Sequence, residues 1–276
     1  LWNPYIFAGA PFLASGQHSM LYPFTVIFYL IPLSNAYGWF MLSQYFLAGV
    51  FAYLFVRGIG IGRLGALVGG VTYQLSLFMV VSAVFPMIVA GAIWLPLMLL
   101  AVELMVCQRP LMGRPTTLPW MCLGSLAISM QLLAGHPEVM SYSLLITAIY
   151  AAWRMSSMVL PEVKMTAIFT QLRRPQISAP LFPHVFRVCQ SSLNAFVHDF
   201  QWYRLIRIVA FVAGMVLLGI LLGAVQFVPL LEAVAGNFRS GSASLTEVRS
   251  WGYPWRRLVT FLVPNFFGNP SHHGYL

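Results

Sequence analysis

The chain has 276 residues, 59% of them hydrophobic and only 8% charged, with a mean hydropathy of +0.80. Uncharged or nearly uncharged runs of roughly 18 to 24 residues recur along it, the length a helix needs to cross roughly 30 Å of hydrocarbon, which excludes an ordinary water-soluble domain. The formal charge of +9 does not mark a nucleic-acid protein, because the basic residues fall in segments between apolar runs and not on a basic face interleaved with aromatics.

In the bilayer core every backbone amide must pair internally, and these runs are too long and continuous for alternating barrel strands. The fold class is therefore all-α: a polytopic transmembrane helical bundle of about six spans with an interfacial or re-entrant N-terminal segment. The chain opens at Leu1 without a methionine and stops at Leu276 soon after a loop-like Asn-Pro-Ser-His-His-Gly run, so it reads as a fragment or a processed chain. The first residues show no basic region ahead of an apolar stretch, so no signal peptide is read.

In chain order, Trp2-Asn3-Pro4-Tyr5 is a turn. Met20–Leu33 is apolar but short and carries Pro23 and Pro32, which suits an interfacial or re-entrant segment. The spans are Tyr37–Val56, Leu64–Ala83, Met87–Val106, Pro119–Ala134, Val139–Trp153 and Ile206–Leu230. Pro119–Ala134 and Val139–Trp153 each cover only about 24 Å at 1.5 Å per residue. Only Gly135-His136-Pro137-Glu138 separates them, so they read as a tight helical hairpin. Residues 1–276 form one transmembrane domain, with a basic connection at 154–205 and a final segment at 232–276.

Basic residues set the orientation. With Tyr37 at the outer end of its span, eleven Lys and Arg residues, from Arg57 to Arg207, fall on one face and four, Arg239, Arg249, Arg256 and Arg257, on the other. The richer face is cytoplasmic. The Arg154–Arg207 connection then lies inside, against anionic headgroups. The opposite face receives Leu1–Ser19, Phe85-Pro86, Gly135–Glu138 and everything after Leu231, with Gln44, Gln131 and Gln226 near the outer span ends. Three glutamines at one depth mean either a polar vestibule or interhelical hydrogen bonding.

His136 and Glu138 have two readings. Pro137 suits a first helical position and Glu138 the positive end of a helix dipole; an imidazole and a carboxylate at a surface hairpin also suit phosphate binding or acid-base work. Glu232 follows Pro229 and is one of only six acids. Arg239 and Arg249 stand among Trp251, Tyr253 and Trp255, either as phosphate ligands or as snorkelling residues in an aromatic belt. Cys107, Cys122 and Cys189 are far apart and form neither a disulfide framework nor a zinc pattern, and His272-His273 is a weak metal site.

Five strings in order resemble the YfhO family of bacterial membrane proteins: Leu1-Trp2-Asn3-Pro4-Tyr5-Ile6-Phe7-Ala8-Gly9-Ala10-Pro11-Phe12, Trp94-Leu95-Pro96-Leu97, Leu132-Leu133-Ala134-Gly135-His136-Pro137-Glu138, Gln226-Phe227-Val228-Pro229-Leu230-Leu231-Glu232 and Pro264-Asn265-Phe266-Phe267-Gly268. The resemblance implies a multi-pass protein of the bacterial inner membrane and a GT-C type glycosyltransferase. Such an enzyme transfers a sugar from a polyprenyl-phosphate carrier to a cell-envelope glycan or lipid acceptor on the extracytoplasmic face. It implies Glu138, Glu232 and His136 as catalytic candidates and Asn3, Asn265, Arg239 and Arg249 as substrate-binding ones. Its usual catalytic acid, in the first outer loop, would lie upstream of Leu1. No cofactor is established, though a divalent cation is compatible with the phosphate chemistry, and the partners are the lipid carrier, the acceptor and membrane lipids, without nucleic acid. Two other classes stay open: a transporter or flippase of a lipid-linked or small polar substrate, and a structural subunit of a membrane assembly.

Overall fold

The computed structural model describes residues 2–5, 9–111, 114–159, 202–236, 244–252, 254–261, 263 and 266. The described chain is all-helical apart from two ladders of two residues per strand. One pairs β1, Trp2–Asn3, with β2, Ala10–Pro11; the other pairs β3, Pro110–Leu111, with β4, Arg114–Pro115.

A 3₁₀ turn at Pro23–Val26 leads into the four-residue helix α1, Ile27–Leu30. The main helices follow: α2, Leu33–Gly58; α3, Arg63–Gln74; α4, Leu77–Val81; α5, Pro86–Ala92; α6, Leu95–Val106; α7, Leu118–Leu133; α8, Pro137–Val159; α9, Trp202–Leu222; and α10, Ala224–Ala235. Four runs are long and apolar enough to cross a membrane: Leu33–Gly58, Arg63–Val84, Pro86–Val106 and Tyr203–Leu222. Leu118–Leu133 and Ala224–Ala235 are shorter apolar helices.

Three expectations are corrected. The run expected to be continuous over Ile206–Leu230 is broken at Gly223, where α9 ends and α10 begins. A Cβ on Gly223 would stand 2.6 Å from Leu132 Cδ1, so the break falls at a position whose close approach to α7 favours glycine. The helix expected over Val139–Trp153 instead runs for 23 residues, Pro137–Val159, about 35 Å at 1.5 Å per residue. The connection expected from residue 154 therefore starts later: 154–159 and 202–205 are helical, because a charged residue lowers hydropathy without lowering helix propensity. Residues 160–201 lie outside the described part.

The α5–α6 run is the centre of the bundle. Of its most apolar window 72% is buried, against 17% for Arg63–Val84 and for Tyr203–Leu222. α6 packs on α2, α7 and α8; α3 lies along α2, and α9 along α7. Leu64, Leu67, Val68 and Val71 on α3 and Leu217 and Leu221 on α9 are apolar yet exposed, as expected where the surrounding solvent is hydrocarbon.

Breaks in these helices are closed by side chains. Pro96 has no N–H to offer Ala92 O four residues earlier, and Tyr73 Oη donates to that oxygen at 2.8 Å instead. Where α4 gives way to a tighter turn at Ser82–Val84, Tyr45 Oη donates to Met79 O at 2.9 Å and Tyr37 Oη to Ala83 O at 2.6 Å. A bent helix is tolerable in a low-dielectric surround when its freed carbonyls find donors in this way.

Leu1–Ala233 forms one compact unit and Val234–Leu276 a second. In the second, the described elements are α11, Leu245–Trp251, and a 3₁₀ helix at Trp255–Phe261.

Candidate functional site: a polar clamp and an apolar cleft at one end of the bundle

The α7–α8 turn is built by local rules. Gly135 adopts φ +79°, a left-handed conformation suited to ending a helix. His136 then caps α8, its Nδ1 accepting the Val139 N–H at 3.3 Å. Pro137 opens the helix and Glu138 lies in its first turn. This accounts for Gly-His-Pro-Glu structurally and also fixes the imidazole: with Nδ1 accepting, Nε2 is the ring's N–H donor.

The N-terminal segment folds over that turn. Ser19 Oγ donates to Ala134 O at 2.5 Å, and Gln226 Nε2 on α10 donates to Leu13 O at 3.0 Å. A Cβ on Gly135 would stand 2.7 Å from Gly16 O and 3.1 Å from Ser19 N. Segments more than 100 residues apart in sequence thus meet in one polar clamp. Gln131 on α7 lies beneath it, donating through Nε2 to Gly91 O at 2.9 Å and to Ser143 Oγ at 2.8 Å. Gln44 accepts from Tyr22 Oη at 2.8 Å, and that hydroxyl accepts from Trp94 Nε1 at 3.2 Å. Gln44 and Gln131 thus both engage their amides in hydrogen bonds inside the bundle.

Two cavities flank the clamp. The larger, about 430 Å³, is an open cleft walled by Phe12, Phe28, Phe40, Phe85 and Met87, with Gln17, His18, Ser19 and Thr25 as its polar lining. The His18 and Phe12 rings stack with centroids 4.2 Å apart. An apolar wall with a few polar groups and a volume of several hundred Å³ is the usual form of a small-ligand site. The smaller cavity, about 20 Å³, is lined by Gln131, His136 and Gln226 together with apolar side chains.

Of the seven residues singled out in the sequence, His136 lies in the clamp and Glu138 beside it, exposed at the start of α8. Glu232 is exposed on α10, two residues beyond the cavity-lining Leu230. Asn3 uses its Oδ1 locally, accepting the Tyr5 N–H at 3.0 Å. Arg249 is exposed in the last turn of α11, in the second unit. Arg239 and Asn265 lie outside the described residues. His18 was not singled out; the only signal for it was a histidine within an otherwise loop-like stretch.

A second polar cluster went unread in the sequence. Glu103, 4% exposed near the far end of α6, receives Arg154 Nε and Nη2 at 2.6 Å each, Tyr150 Oη at 2.8 Å and Cys107 Sγ at 3.1 Å. The forked ion pair uses one acceptor site on each carboxylate oxygen and ties α6 to α8, and the Tyr150 and Cys107 donors take the others. Because the α5–α6 run starts at the cleft with Pro86, this pair sits toward the opposite end of the bundle. Among the described residues no group of three or more His, Cys, Asp or Glu side chains is arranged to hold a metal ion.

No protein-family model, curated protein or solved structure matches the chain.

Proposed function

We propose that the clamp and cleft form the outward-facing end of a membrane glycosyltransferase-like protein that takes a sugar from a polyprenyl-phosphate carrier and passes it to a cell-envelope acceptor. The observation that carries this reading is the cleft itself: an aromatic wall suited to a prenyl chain beside His18 and Gln17, which suit a phosphate or sugar. It is supported by two of the YfhO-like strings, Leu132–Glu138 and Gln226–Glu232, which line the smaller cavity together. In this reading α2, α3–α4, α5–α6, α7, α8 and α9 are six crossings, and the clamp faces away from the cytosol.

The chemistry assigned is simple. A carboxylate, with Glu138 and Glu232 as candidates, takes the proton of an acceptor hydroxyl. The hydroxyl oxygen bonds to the anomeric carbon as the carbon–phosphate oxygen bond breaks, and polyprenyl phosphate leaves with the electron pair. An imidazole or guanidinium N–H offsets the charge on the departing phosphate.

The test is sugar transfer by the full-length protein in proteoliposomes supplied with labelled polyprenyl-phosphate sugars. Met87→Trp, which fills the cleft, lowers transfer about tenfold, the equivalent of ~1.4 kcal/mol of binding. Loss of the operative base in Glu138→Gln or Glu232→Gln lowers it about 100-fold. Transfer untouched by all three variants rejects the site, and carrier-independent uptake of solute would favour a transporter. Orientation is checked separately by cysteine labelling. Ser141→Cys, at an exposed position next to the clamp, reacts in intact cells with a membrane-impermeant maleimide, and labelling only after lysis reverses the topology.

A further inference from the structure

Two buried amide oxygens beside the clamp have no hydrogen-bond partner among the described residues: Gln131 Oε1 and Gln226 Oε1. Neither is explained by exchanging the amide's oxygen and nitrogen. Gln131 Nε2 faces Gly91 O, and Gln226 Nε2 faces Leu13 O. A backbone carbonyl only accepts, so the nitrogen must stand there and the oxygen must be the orphan. Gln131 is fully buried and Gln226 is 4% exposed. Both line the cavity of about 20 Å³, which exceeds the roughly 10–15 Å³ that one water requires. The third polar side chain of that cavity is His136, whose Nδ1 is used by the Val139 N–H and whose Nε2–H is the remaining ring group.

Two acceptors and one donor are the complement of a single neutral molecule with two O–H groups and a lone pair. An ammonium or metal cation would be opposed by the imidazole N–H, and an anion by the two amide oxygens. We infer that this cavity is an ordered-water site in which one water donates to Gln131 Oε1 and Gln226 Oε1 and accepts from His136 Nε2. The water links α7, the cap of α8 and α10 through three side chains that share no direct hydrogen bond. It makes Gln131 and Gln226 positioning residues for the hairpin-tip imidazole, and it stands independently of the proposed transfer reaction.

The decisive measurement is an experimental density map of the intact wild-type protein at a resolution that resolves waters. The expected result is one peak at hydrogen-bond distance from all three groups. An empty cavity, or a peak at metal-ligand distance from the two oxygens, overturns the inference. The solution counterpart is a double-mutant cycle on unfolding with Gln131→Met and Gln226→Met, which keep side-chain length and volume. A bridge makes the pair non-additive, so that the double variant's folded-to-unfolded ratio exceeds the product expected from the single variants about fivefold. Strict additivity overturns it.

Discussion

Arg154→Ala lowers the stability of the bundle by about 3–5 kcal/mol, measured by reversible unfolding in mixed micelles, because it strands a buried carboxylate. The two partners are not equivalent. The Arg154 side chain is 24% exposed, whereas that of Glu103 is 5% exposed. Removing the arginine leaves Glu103 with only the Tyr150 and Cys107 donors. The reverse change, Glu103→Gln, keeps an acceptor for Tyr150 and lets the guanidinium extend toward the interface. Its loss is smaller, about 1–2 kcal/mol. The combination of Glu103→Gln with Arg154→Ala is then more stable than Arg154→Ala alone. Equal losses for the two single variants, or no gain in the double, would show that the pair does not hold α6 to α8.

Gly135→Val is the second large effect. Left-handed backbone at a residue other than glycine carries about 1–3 kcal/mol of strain by itself, most for a β-branched side chain. Here a Cβ would also press within 2.7 Å of Gly16 O, a backbone atom that yields only if the N-terminal segment lifts. The expected loss is therefore above the strain alone, with Ser19 and Leu13 released from the clamp. Proteolysis of the Leu13–Ser19 stretch reports this directly: resistant in wild type, cut readily in Gly135→Val. A variant with wild-type protection and midpoint would mean that the clamp has slack.

Much of the architecture could be read from hydropathy because the signal is long: Tyr37–Val56 and Met87–Val106 lie within observed helices or helical runs. The turn at Gly135–Glu138 was equally legible, since helix-stopping and helix-starting residues sit in four consecutive positions. What escaped depends on packing. Gly223, at the break between α9 and α10, stands against Leu132, and no window average contains that neighbour. Glu103 was visible as an acid inside an apolar run, but its partner lies 51 residues away and counted only as one more loop charge. The clamp joins residues such as Leu13 and Gln226 across 213 positions; the sequence offers the glutamine, while the chain crossing that brings its acceptor is a property of the fold.

The attachments of α8 have a mechanical consequence. Its first turns are fastened through Ser143 to Gln131, and its last third through the two-pronged contact of Arg154 with Glu103. A rod bolted at both extremities resists pivoting. Neither fastening involves the short Pro23–Leu30 stretch, whose Thr25, Phe28 and Tyr29 border the cleft.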